Sequence, residues 1–136
     1  MQSPPSFISA SLLVAGGGAV GSWFRFATGR IWAMTIGPIA ASAFPWATLT
    51  VNVVGSLLMG MLVGWLARHA SGGETWRLLF GVGVLGGFTT FSSFALEFAL
   101  FVERGTLGMG AVYVGLSLLA GFGALFAGLA VMRVAA

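Results

Sequence analysis

Four apolar runs, each long enough to cross a lipid bilayer, make up most of this chain and restrict it to one class of fold. A transmembrane helix needs about 20 mostly apolar residues. Runs of that kind cover roughly 8–33, 46–67, 78–101 and 108–131. They are interrupted where polar residues and turn formers gather: Met34 to Pro45, Arg68 to Arg77, and Glu103 to Gly105. A soluble domain of 136 residues, 58% hydrophobic and 7% charged, would have nowhere to bury its apolar surface. The solvent is therefore lipid. The chain reads as an all-α, multi-pass membrane protein, a single four-helix transmembrane domain over residues 1–136 with no room for a soluble one.

Several classes of activity drop out early. Met1 to Ser6 holds no Lys or Arg and does not read as a secretory signal; Gln2 to Ser6 reads as a short disordered lead-in. The absence of cysteine excludes thiol chemistry, disulfides and Cys-based metal sites. The sequence pI of about 11.3 comes from six arginines scattered among span ends, with no basic patch or stripe, so no nucleic-acid partner is expected. The single histidine, His69, lies in a loop beside Arg68 and reads as solvated. There is no Ser/His/Asp or Cys/His set and no phosphate-binding loop, so an enzyme is not expected.

The arginines say more by their placement. Four spans put both termini on one side, with Arg68, Arg77 and Arg133; the other side carries Arg25, Arg30 and Arg104. A three-to-three tie gives the positive-inside rule nothing to act on. Two readings fit: a chance tie in a chain with few charges, or dual topology, in which the same chain inserts both ways and pairs antiparallel with itself. Tryptophans mark the span ends, Trp32 and Trp46 around the first loop and Trp65 and Trp76 around the second. The uncharged first loop contains Pro38 and suits the interface; Pro45 suits the first turn of the second span.

Polar and small residues form columns inside the spans. Thr48, Asn52, Ser56, Gly60 and Gly64 recur at steps of four in span two, and Gly17 and Gly21 repeat the GxxxG spacing in span one. Small residues let helices approach closely in lipid, so packing accounts for the glycines. Asn52 must bond inside the protein or to water, as interhelical glue or as a pathway lining.

Span three carries the least expected chemistry, the run Gly86-Gly87-Phe88-Thr89-Thr90-Phe91-Ser92-Ser93-Phe94. On a helix Phe91, Phe94, Phe98 and Phe101 share one face; Thr90, Ser93 and Glu97 share the next. The paired glycines lower helix propensity, and a local break is expected over Gly86 to Thr89. Backbone freed at membrane depth must be buried in protein or line a wet cavity, where its carbonyls can hold a cation. The bland alternative is a Phe packing stripe with hydroxyls bonded back to the preceding turn. Span four adds Tyr113, Ser117 and Gly121 at steps of four, with Tyr113 near enough to the span end to suit the interface. Glu97, the one acid inside an expected span, is a functional candidate near a vestibule, and Arg25 snorkels or caps a cavity.

These residues resemble the CrcB/Fluc family of fluoride channels over nearly the full chain. The resemblance rests on residues 86–94 with Glu97, on Gly21-Ser22-Trp23-Phe24-Arg25, on Pro45-Trp46-Ala47-Thr48-Leu49-Thr50-Val51-Asn52, and on Tyr113 and Ser117. Phe88 and Ser93 depart mildly from the family, which often has Leu and Thr there; Ser93 keeps its hydroxyl. The resemblance implies an antiparallel, dual-topology homodimer in the bacterial plasma (inner) membrane, exporting fluoride passively through two pores along the dimer interface. It implies a structural sodium ion (Na+) held by the Gly86 and Thr89 carbonyls of each subunit. It also implies a fluoride pathway lined by Asn52, Thr90, Phe91, Ser93, Phe94, Tyr113 and Ser117, with Arg25 and Glu97 toward vestibules. Two other classes compete. A small proton-coupled multidrug exporter needs a carboxylate deep in span one, which has no acid. A scaffold subunit leaves the Phe and hydroxyl columns without a purpose.

Overall fold

A computed structural model describes residues 5–68 and 73–134, so Gln2 to Pro4 of the lead-in and His69 lie outside the described residues. Every element among the described residues is a helix: α1 (Phe7–Ile36), a short α2 (Pro38–Ala43), α3 (Trp46–Leu66), a composite α4, α5 (Phe91–Glu103) and α6 (Leu107–Val134). Composite α4 starts as an α-helical turn (Gly73–Trp76), widens to a π-helix (Arg77–Leu85) and closes with Gly86–Phe88. Four segments are long and apolar enough to cross a membrane: Phe7–Ile36, Trp46–Leu66, Gly73–Glu103 and Leu107–Val134. Three of them extend beyond the runs expected from sequence, and the second ends one residue sooner.

Local chemistry sets the ends. Ser6 caps α1, its hydroxyl accepting from the Ser9 N–H at 3.3 Å. Gly37, at φ 84°, adopts the left-handed conformation that turns the chain into α2. Pro45 stands one position outside α3 as its N-cap, and its carbonyl accepts from the Leu49 N–H. At the end of α5, Gly105 (φ 70°) donates to Val102 O and Thr106 donates to Phe101 O, a Schellman closure that fixes Arg104. The tryptophans pair across the loops they flank: Trp32 stacks on Trp46 at 5.6 Å, and Trp65 meets Trp76 edge-on at 6.1 Å.

Glycine decides which helices touch. Along α1, a Cβ at Gly17 would sit 2.5 Å from Leu79 O, and one at Gly87 would sit 2.5 Å from Gly18 O. The second close pairing joins α3 to α6: a Cβ at Gly60 would collide with Leu125 O, and one at Gly128 with Leu57 O. Both GxxxG pairs lie in these contacts, where bare backbone replaces side-chain volume. Helix α3 links the two pairings, touching α1, α4, α5 and α6. A small aromatic cluster of Phe44, Phe101 and Tyr113, with Leu49 and Phe94 packed on it, ties the α2–α3 turn to α5 and α6.

The third span departs from helix two residues later than its glycines suggest. Gly86, Gly87 and Phe88 remain helical, and the extended residues are Thr89 (φ −80°, ψ 158°) and Thr90 (φ −152°, ψ 121°). The reason is steric. Gly87 is needed for contact with Gly18, whereas threonine is β-branched and accepts extended dihedrals readily.

Candidate functional site

The two extended residues expose peptide groups that a continuous helix would have paired, and two other helices take them up. Asn52 of α3 clamps Thr90: its Oδ1 accepts from the Thr90 N–H at 2.8 Å, and its Nδ2 donates to Thr90 O at 3.1 Å. Arg25 of α1 donates from Nη1 to Thr89 O at 3.4 Å. A guanidinium there also faces the negative end of α4. Thr89 bonds back to Leu85 O through its N–H at 3.0 Å and its hydroxyl at 2.8 Å. The Thr90 hydroxyl caps α5, accepting from the Ser93 N–H at 3.2 Å, and donates to Ser93 Oγ. Because Thr90 N–H turns to Asn52, it is not available to Gly86 O, its partner in an unbroken helix.

A groove of about 330 Å³ opens beside this junction between α3, α5 and α6. Asn52, Ser56, Thr89, Thr90, Phe91, Phe94, Ser117 and Gly121 are among the residues that line it. Five residues expected on one pathway, Asn52, Thr90, Phe91, Phe94 and Ser117, therefore share one surface. The Phe91 ring is 79% exposed there, and Phe94 lies 5.7 Å behind it. Ser117 Oγ is buried with no hydrogen-bond partner among the described residues. No basic or acidic side chain lines the groove. Ser93 and Tyr113 do not line it either: Ser93 is bonded to Thr90, and Tyr113 is 0% exposed.

Tyr113 is fully buried within the chain, and its neighbours are Phe44, Phe94 and Phe101. Its hydroxyl donates to Glu97 Oε2 at 2.6 Å, and the Thr48 hydroxyl donates to Glu97 Oε1 at 2.6 Å. Both carboxylate oxygens are thus held by uncharged donors from separate helices, and Glu97 borders a second cavity of about 140 Å³. Thr48 stood in the span-two column, but its tie to Glu97 spans 49 residues of sequence and leaves no local signature. Arg25, expected toward a vestibule, reaches the α4 terminus with its guanidinium.

The carbonyls at the end of α4 have the right chemistry for a small hard cation, which takes oxygen ligands. Among the described residues no group of three His, Asp or Glu side chains converges, so a cation here would rely on backbone oxygen. Gly86 is exposed and its carbonyl is released from the Thr90 N–H, while Thr89 O keeps one lone pair beyond the long Arg25 contact.

Residues 12–129 match the family described as CrcB-like protein, Camphor Resistance (CrcB). The chain belongs to the CrcB family. A relative from Novosphingobium aromaticivorans, named Fluoride-specific ion channel FluC, is 56% identical over 126 residues, 93% of this chain and 98% of the relative. A protein of the same name from Caulobacter vibrioides is 52% identical over 123 residues, 90% of this chain and 94% of its own. One from Agrobacterium fabrum is 50% identical over 121 residues, 89% and 94% respectively. The relatives are named as ion channels, and this CrcB-family chain is a multi-pass membrane protein rather than an enzyme.

Proposed function

We propose that the chain is a fluoride-selective channel. It works as an antiparallel homodimer in a bacterial inner membrane, passing fluoride by electrodiffusion along one path on each side of the dimer contact. The observation that carries this reading is the groove: hydroxyls, one carboxamide and two phenylalanine rings gather at the middle of the bundle with no basic side chain among them. Fluoride is small and strongly hydrated, and bare transfer into low dielectric costs tens of kcal/mol by Born reasoning. Uncharged donors and the positive edges of aromatic rings can replace its water. A fixed cation in the path would hold the anion too firmly for conduction, which needs several weak sites. Passive flow is enough: fluoride enters acidified cells as HF, dissociates, and leaves as the anion down its gradient.

Self-pairing draws support from the balanced arginines and from the exposed Phe91 ring at the groove. In such a dimer Gly86 O and Thr89 O of each copy would hold a structural sodium ion between the chains. The ion would supply positive potential beside the two paths and tie the copies together. The residues of this chain do the rest: Asn52 and Arg25 fix the Thr89–Thr90 backbone, Phe91 and Phe94 flank the path, and Ser117 lines the groove beside them.

The test is fluoride-electrode efflux from liposomes containing the purified protein, with chloride efflux as control. Rapid fluoride release with chloride at background is expected, and Phe91→Ile or Phe94→Ile slows release while leaving the dimer intact by size exclusion. Equal rates for the two ions would overturn selectivity.

A further inference from the structure

The second cavity lies away from the groove, between α2, the start of α3 and the end of α5. Ser42, Pro45, Glu97 and Arg104 are among its lining residues. Its volume of about 140 Å³ suits one small ion with a few waters, since a water molecule occupies about 30 Å³. It is linked to the groove through contacts already described: Phe94 borders the groove and packs on Tyr113 at 5.2 Å, and Tyr113 bonds to Glu97 at 2.6 Å. An anion arriving beside Glu97 faces a difficulty, because a carboxylate repels it.

Arg104 answers that difficulty. It follows Glu97 by seven residues, so it stands on the same face of α5, about 10.5 Å further along the axis. The Schellman closure pins its backbone, with the Arg104 N–H donating to Leu100 O at 3.1 Å. Among the described residues its guanidinium makes no salt bridge and no side-chain hydrogen bond, so its donors are free to face the cavity. Glu103, the other acid nearby, is exposed and does not line the cavity.

We propose that this cavity is an antechamber for a hydrated small anion, and that Arg104 sets how often it is occupied. The inference rests on the fluoride conduction proposed above. The ordinary role of a cation at a helix C-terminus is to complement the helix dipole. That role alone would alter stability and leave the dependence on fluoride concentration unchanged. A unit charge about 10.5 Å from an anion, the axial offset between Arg104 and Glu97, changes occupancy about two- to fifteen-fold at an effective dielectric between 80 and 20.

The chain has no cysteine, so Arg104→Cys introduces a single thiol per copy. Initial fluoride efflux from liposomes is measured against fluoride concentration at low and high ionic strength. Arg104→Gln is expected to raise the half-saturating concentration about two- to fifteen-fold at low salt, and less at about 1 M, where the Debye length falls to about 3 Å. Arg104→Lys restores it. An aminoethyl reagent on the Arg104→Cys thiol, added on both sides, also restores it, while a sulfonatoethyl reagent raises it further. A conducting wild type whose half-saturation matches Arg104→Gln, or a thiol variant that responds alike to both reagents, overturns this inference alone. A wild type that passes no fluoride overturns the conduction reading and this inference with it.

Discussion

Replacing Asn52 with alanine separates a clamp from an ion donor. In the structure both ends of its carboxamide are engaged by one peptide, Thr90 N–H at 2.8 Å and Thr90 O at 3.1 Å. Thr90 is 7% exposed, so water cannot take over both bonds freely. Each buried backbone group left without a partner costs about 1–3 kcal/mol, and the pair together about 2–6 kcal/mol. The expected outcome for Asn52→Ala is a loss of unfolding stability in that range in mixed micelles, and faster hydrogen exchange at the Thr90 amide. Fluoride efflux falls as well, because the Thr89–Thr90 segment loses its fixed position. If Asn52 served only to donate to the passing ion, efflux would fall while stability and exchange stayed at wild-type values. That result would refute the clamp.

Adjacent glycines in α1 give an internal control. Gly16→Ala meets no atom within 4 Å and should be neutral or stabilising by up to about 1 kcal/mol, whereas Gly17→Ala drives a methyl to 2.5 Å from Leu79 O and should cut the yield of folded dimer; overpacking of that kind costs about 1–3 kcal/mol or more. Tyr113→Phe and Thr48→Val each remove one donor to Glu97, and each should cost about 1.5–3 kcal/mol in the same unfolding assay, with non-additive loss in the double variant because both bonds serve one carboxylate.

Much of the fold is visible in the sequence, because a membrane demands long apolar runs and few residues can end them. The first, third and fourth spans lie within the observed membrane-crossing segments, and the glycine spacing marks the contacts of α1 with α4 and of α3 with α6. The winding of α4 is a different matter. Nothing local in Arg77–Leu85 announces a π-helix, in which the Gly86 N–H reaches back to Gly81 O; that winding depends on how Gly81 and Gly83 seat against α3 and α1. Gly86 and Gly87 drew attention as helix breakers because propensity measures an isolated helix. In the bundle, Gly87 serves close packing and the chain opens at the threonines instead. The candidate site is half legible for a similar reason. Phe91, Phe94 and Ser117 can be read from spacing along their own helices. The partners of Asn52, Arg25 and Glu97 lie 38, 64 and 49 residues away (the last through Thr48), and a periodicity argument has no access to them.

The junction at Thr89 and Thr90 also bears on how the protein can be made. Its unpaired peptide groups would be costly in lipid if they arrived before their partners. Arg25 and Asn52 both precede them in the chain. A ribosome delivering the chain from its N-terminus supplies the acceptor and both donors before the segment that needs them. A circular permutant beginning at α4 would reverse that order. Its third span would enter the membrane with bare backbone at mid-depth, and its insertion efficiency would measure what the native order of helices is worth.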